Sequence, residues 1–250
     1  MPYSQILYDT AAGICTITLN RPEKLNAFTG TMGDEIYDAF NAANADPGVK
    51  AIILSGSGTA FCAGVDMQAL ADPKEGRRIV ASPLLLRFPE ENYRNAKATI
   101  CAINGAAIGV GVTMSLSFDI RIADENARFA APFAKLGMLP GLGSTHLLPQ
   151  LMGRGRALDL LLTCRSLSAA EAHQMGLVER IAPAGTALDI AKEIAAALVK
   201  CNPAIIANIK AAVNFGSVSA LAQAIENETE LMTQLRASRA SPVGKQAPAG

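Results

Sequence analysis

Asn104-Gly105-Ala106-Ala107-Ile108-Gly109-Val110-Gly111 follows the apolar strand signal Thr99 to Ile103 and opens a glycine-rich helix start. It has a counterpart upstream. The apolar run Ala51 to Leu54 leads through a Ser-Gly-Ser-Gly turn into Phe61-Cys62-Ala63-Gly64-Val65-Asp66. In both places small residues let the backbone approach a ligand closely, and a helix N-terminus leaves its first amides unpaired. Such amides are anion receptors; the plainer reading is that the glycines only permit tight turns and close packing. A dinucleotide fingerprint is rejected for the second turn, because Gly109-Val110-Gly111-Val112-Thr113-Met114 lacks the third glycine or alanine.

Outward from these turns, the same punctuation repeats. Ile14 to Leu19 alternates and is β-branched, a strand signal that stops at Asn20-Arg21-Pro22, where proline removes a ladder donor. From Thr31 to about Asn44, Ile36, Phe40 and Ala43 recur at helical spacing, with Asp34 and Glu35 assigned to the first turn. Asp46-Pro47-Gly48 ends that helix, and Ile120 to Ala123 is a further strand. Strand, glycine-rich turn and helix in alternation predict an α/β core with ligands at strand ends. Beyond about Gly143 the pattern reads as helices alone. Ser168-Ala169-Ala170-Glu171 is a capping box and Gly176 a C-cap, and Ala187 to Val199, Pro203 to Val213 and Val218 to Leu235 are further helices. The last dozen residues read as disordered.

The 250 residues, 50% of them apolar, suffice for a substantial core without disulfide or metal. Lys plus Arg and Asp plus Glu each total 22, so no net field attracts nucleic acid or an anionic membrane. The partner predicted is a small molecule. Five cysteines, Cys15, Cys62, Cys101, Cys164 and Cys201, contain no CxxC pair and read as reduced residues of a cytoplasmic protein. His146 and His173 are too few and too far apart to build a metal site, so none is expected. Neither a secretion signal nor a peroxisomal C-terminus is evident. Ala98 to Phe118 is 21 residues without a charge, long enough for a bilayer, but polar residues and glycines interrupt it. It reads as a buried strand and helix.

Both turns occur in the order and context of the enoyl-CoA hydratase/isomerase, or crotonase, superfamily, which the chain resembles over about residues 5–215. The matching stretches are Asn20 to Ala27, Phe61 to Asp66, Ile103-Asn104-Gly105, Phe118 to Ala123, Leu136-Gly137, Pro140-Gly141, Ser168 to Ala172 and Gly176-Leu177-Val178. The resemblance implies a crotonase-type α/β spiral of ββα units over 1–195. A helical C-terminal region over 196–250 would assemble trimers, often paired into hexamers. It also implies an acyl-CoA thioester as partner, no cofactor beyond the coenzyme A moiety, and an oxyanion hole made by the backbone N–H groups of Val65 and Val110. Backbone around Lys24, Leu25 and Ala27 and around Ala63 and Met67 would hold the coenzyme A. Lys24 stands as either a phosphate contact or a solvated lysine, and Asp66 as either a helix cap or a substrate contact.

The family's acids are missing. Thr113, four residues after Gly109, stands where a hydratase glutamate is expected; Phe133 follows Pro132 where the second is expected; and Gly141 stands where isomerases often carry one. None of these three side chains is a base near neutral pH. His146 is the candidate substitute, while Glu90 and Glu91 read as a solvated face and His173 as a surface residue. Enoyl-CoA hydratase is the leading label, beside a Δ3,Δ2-enoyl-CoA isomerase, another crotonase-type reaction or a non-catalytic acyl-CoA binder.

Overall fold

The structure, a computed structural model, describes residues 3–240. Strands β1 (Ile6–Ala11) and β2 (Ile14–Leu19) form an antiparallel hairpin across Ala12-Gly13, both at positive φ. Helix α1 (Gly30–Ala45) is capped by Thr29, whose hydroxyl accepts from the Met32 amide. Asp34 and Glu35 therefore fall in the second turn, not the first, where the helix dipole offers them little. They serve as anchors instead. Glu35 accepts from the Ser4 and Gln5 amides at 2.8 Å each, and Asp34 holds Arg78 at 2.7 Å.

From here the chain winds in repeated turns, each a long strand, a short strand and a helical stretch. The first is β3 (Ala51–Gly56), β4 (Ala60–Cys62), then α2 (Met67–Ala71), α3 (Pro73–Ala81), α4 (Pro83–Leu86) and α5 (Phe88–Tyr93). The second is β5 (Ala98–Ile103), β6 (Ala106–Ile108) and α6 (Val110–Ser115). The third is β7 (Ile120–Asp124), β8 (Arg128–Ala130), then α7 (Ser144–Met152) and α8 (Arg154–Thr163). Strand β9 (Ser166–Ser168), α9 (Ala169–Met175), β10 (Arg180–Ala182), α10 (Ala187–Val199), α11 (Pro203–Gly216) and α12 (Leu221–Ala240) complete it. Long strands join one sheet in the order β1-β2-β3-β5-β7-β10, and short ones a second in the order β4-β6-β8-β9. This is a spiral of ββα units.

The stretch after Gly143 is not helical throughout, since β9 pairs antiparallel with β8 and β10 parallel with β7. Strands of three residues are too short to show a period of two, and each is held by a ladder formed with distant sequence. Val218-Ser219-Ala220 lies between α11 and α12, so the last helix starts at Leu221. Of the dozen residues read as disordered, Arg239 and Ala240 end α12, and the others lie outside the described residues.

Alternation along the parallel strands divides the interior. Ile52, Leu54, Cys101 and Ile103 face the larger core with Phe28, Met32, Phe61 and Val112. Ala51, Ile53, Ile100 and Ala102 face the other way, onto α10. There Ala187, Ala191 and Ala195, spaced by four, present a smooth stripe that lets the helix lie close. The uncharged run from Ala98 to Phe118 is β5, β6 and α6, buried in this core. Among the described residues no helix is long and apolar enough to cross a membrane. The five cysteines are free, four of them buried and Cys201 exposed.

Gly105 shows how tightly successive turns pack. A Cβ there would lie 2.1 Å from the Thr59 carbonyl oxygen and 3.0 Å from the Ala60 Cα, both backbone. Gly155, in α8, has nothing within 4 Å of such a Cβ. Gly105→Ala is therefore expected to destabilise by at least about 1–3 kcal/mol. Gly155→Ala is expected to stabilise by about 0.4–1 kcal/mol. Urea midpoints of the two variants against the parent check both signs.

Candidate active site

Strands β4 and β6 are parallel neighbours, so the turns that leave them are neighbours too. Gly64 (φ 101°) and Gly109 (φ 54°) carry those turns in backbone conformations that L side chains rarely adopt. A Cβ on Gly109 would stand 4.0 Å from the Gly64 Cα, and one on Gly64 would stand 3.4 Å from the Ile108 carbonyl oxygen. Only backbone separates the two turns. Behind them Gly111 lets α6 seat on β4, since a Cβ there would meet the Cys62 carbonyl oxygen at 2.5 Å.

The residue after each glycine is the one whose amide matters. Among the described residues, neither the Val65 nor the Val110 N–H has a hydrogen-bond partner. Val110 is the first residue of α6, where a helix amide has no intrahelical acceptor. Val65 lies just beyond β4 in an isolated bridge with Phe28. Gly64 O accepts from the Phe28 amide at 2.8 Å, and the Asp66 amide donates to Phe28 O at 2.9 Å.

The stretch before Phe28 is laced to the first turn. Leu25 and Asn26 both have positive φ, and the Ala63 amide donates to Leu25 O at 3.0 Å. Asn26 is fully buried; its Nδ2 donates to Ser57 O at 2.9 Å and Ala60 O at 2.8 Å, while its Oδ1 accepts from the Arg21 amide at 2.8 Å. Lys24, Leu25 and Met67 are exposed at the rim, with Ala27 and Ala63 partly buried between them. Asp66 caps α2 by accepting from the Gln68 and Ala69 amides at 3.1 Å each, and also pairs with Arg21 at 3.1 Å. Burial works to raise the Asp66 carboxyl, but the Ala69 amide, Arg21 and the Gln68 amide together hold it below the usual carboxylate range. Asp66 is thus a charged anchor. Sequence reasoning assigned no role to Arg21 or Asn26; an asparagine beside Leu25 in a tight turn was the available signal, because asparagine tolerates positive φ.

Around the second turn the side chains are not acids. Thr113 is buried inside α6 with its hydroxyl 3.5 Å from Val110 O, and the Phe133 ring would lie 4.0 Å from a Cβ on Gly109. Gly141 is exposed, with open space where a side chain would go. Burial pushes the Cys62 thiol up to about 12, so it is no nucleophile at neutral pH. His146 is exposed on α7 and lines a cavity of about 470 Å3 with Glu90, Tyr93, Lys210 and Asn214. Val65, Gly109, Val110, Thr113 and Phe133 line neither that cavity nor the neighbouring apolar one beside Leu85, Pro89 and Leu147. Glu90 and Glu91 are paired with Arg94 and Arg87, and the exposed His173 has its Nδ1 3.1 Å from Val178 O.

Comparison with known proteins points to one family. A family model described as enoyl-CoA hydratase/isomerase matches residues 9–247. A 1,2-epoxyphenylacetyl-CoA isomerase of Escherichia coli is 34% identical, over 90% of this chain and 87% of that one. A probable enoyl-CoA hydratase of Mycobacterium bovis is 35% identical, over 92% and 89%. The crystal structure of an enoyl-CoA hydratase from Bacillus anthracis superposes with a TM-score of 0.87 at 31% identity, covering 94% of this chain and 92% of that one. With spiral, facing turns and relatives in agreement, the chain belongs to the enoyl-CoA hydratase/isomerase family.

Proposed function

We propose that the chain binds an acyl-CoA thioester and stabilises its enolate with the N–H groups of Val65 and Val110. As a family member it is an enzyme of the lyase or isomerase type. The observation that carries the finer reading is the pair of unpartnered amides on facing glycine turns. Removing a proton beside a thioester, or adding water to its conjugated alkene, moves negative charge onto the thioester oxygen. Two preorganised donors answer that charge, and deleting one such donor costs roughly 2.7–4 kcal/mol of barrier. Enoyl-CoA hydratase is the leading label, and acyl-CoA isomerisation stands beside it because a relative is an acyl-CoA isomerase.

General acid–base help is worth roughly 10²–10⁴-fold, and Thr113, Phe133 and Gly141 bring none. His146 is the substitute we propose on its place in the sequence, although the cavity it lines includes none of the hole residues. For assembly we propose a trimer or hexamer, and for location the cytoplasm. Helix α11 has no buried residue, and Ile209, Val213, Phe215 and Val218 form an exposed apolar run that continues to Leu221 and Ile225 on α12.

Three tests follow. Val110→Pro removes one donor at a first-turn helix position that suits proline. With fold and coenzyme A affinity intact, turnover should fall by roughly 10²–10³; unchanged turnover would remove Val110 from the hole. A panel of saturated and unsaturated acyl-CoAs in deuterium oxide, followed by mass spectrometry, should show product or exchange at the α-carbon, and His146→Ala should abolish it. Binding with neither turnover nor exchange overturns the enolate reading, and full activity in His146→Ala eliminates that residue. Light scattering should give three or six chain masses; a single chain mass refutes the assembly.

A further inference from the structure

A trans peptide unit holds its C=O and N–H on opposite sides, so whatever grips the oxygen aims the amide. Two such units stand in series behind Val65. The Arg21 Nη1 donates to Ala27 O at 2.6 Å. The other end of that unit, the Phe28 N–H, donates to Gly64 O at 2.8 Å. The far end of the second unit is the unpartnered Val65 N–H. A fixed cation thus heads a line of two aligned peptide dipoles whose tail is the candidate oxyanion donor. Hydrogen bonds in such a line polarise one another.

The guanidinium is itself held. Its Nη2 lies 3.1 Å from Asp66 Oδ2, and its side chain is largely buried. Asp66 Oδ1 accepts from the Gln68 and Ala69 amides, so the same carboxylate fixes the start of α2. One fork therefore spans both sides of the Phe28–Val65 bridge, the Ala27 carbonyl before it and Asp66 after it. Val110 has a different support. The carbonyl of its peptide unit, Gly109 O, accepts from the Val112 and Thr113 amides in the first turn of α6.

We propose that Arg21 is a positioning residue for the oxyanion hole, aligning and polarising the Val65 amide through the Ala27–Phe28 and Gly64–Val65 peptide units. This rests on Val65 and Val110 being the oxyanion donors, and the test separates the two claims. Cinnamoyl-CoA serves as probe, since its absorption band moves to the red when the thioester carbonyl is polarised. The parent protein should red-shift the bound probe; no shift in the parent removes the hole itself, and the proposal with it. Arg21→Met should bind the probe within about threefold of the parent but lose at least half of the red shift, with kcat down about tenfold or more and KM little changed. That loss is smaller than the roughly 10²–10³ for a deleted donor, because the amide remains. A full shift in Arg21→Met overturns the proposal. Should that variant fail to fold, Arg21→Lys keeps the charge but cannot reach Ala27 O and Asp66 together in a fork. Its shift should lie below the parent's, and a shift equal to the parent's overturns the role given to Arg21.

Discussion

The opposed directions of C=O and N–H in a trans peptide are the constraint on which this site depends. An amide cannot be aimed by its own side chain; it is aimed by the partner of the carbonyl it is fused to. At Val65 that partner is the Phe28 amide, and at Val110 it is the first turn of α6. The laced 24–28 stretch and the short helix each hold one of these carbonyls still. Gly64 and Gly109 are needed because the chain must turn sharply between a ladder that fixes it and an amide that points away from the ladder.

The spiral explains why the two amides meet. Each turn advances the chain by one strand in both sheets, so equivalent points of successive turns are separated by one strand spacing, about 4.8 Å. Strands β4 and β6 are such successive neighbours. The proposed donors follow these two strands, on turns separated only by backbone. Gly105 and Gly111 keep that spacing, since a methyl group at either would drive into backbone of the preceding turn. The repeat brings the two turns side by side, and the valine side chains there contribute no hydrogen bond.

Much of this was legible because the backbone makes demands that only certain residues meet. Glycine at 64, 105, 109 and 111 marks close approach or positive φ, and the apolar runs before them mark strands buried on both faces. The capping box at Ser168 and Glu171 was equally plain, being a local contact between residues three apart. Strands β9 and β10 were not legible, because three residues carry no period and their partners lie as far away as β7 and β8. Asp34 and Glu35 were read as dipole partners when their contacts are with Arg78 and the N-terminal stretch. Arg21 was visible as part of a motif, but its contact with Asp66 lies 45 residues on, and no local rule connects them.

The missing acids bear on chemistry differently from the hole. Backbone donors in the proposed hole would hold a thioester oxygen before and after charge builds on it, but the hold would strengthen as the charge develops, and only that difference accelerates a reaction. It acts wherever an enolate forms, whichever group moves the proton. Thr113 is buried with its hydroxyl turned toward its own helix, and Phe133 covers Gly109 with an apolar ring. Neither side chain carries a charge, and a surround that excludes water would make each amide dipole worth more than it is in water. Nor does either supply a base that would deliver water across an alkene. Proton removal beside the thioester needs a base just as delivery of water does, so either reaction on the proposed hole draws its acid–base group from outside Thr113, Phe133 and Gly141.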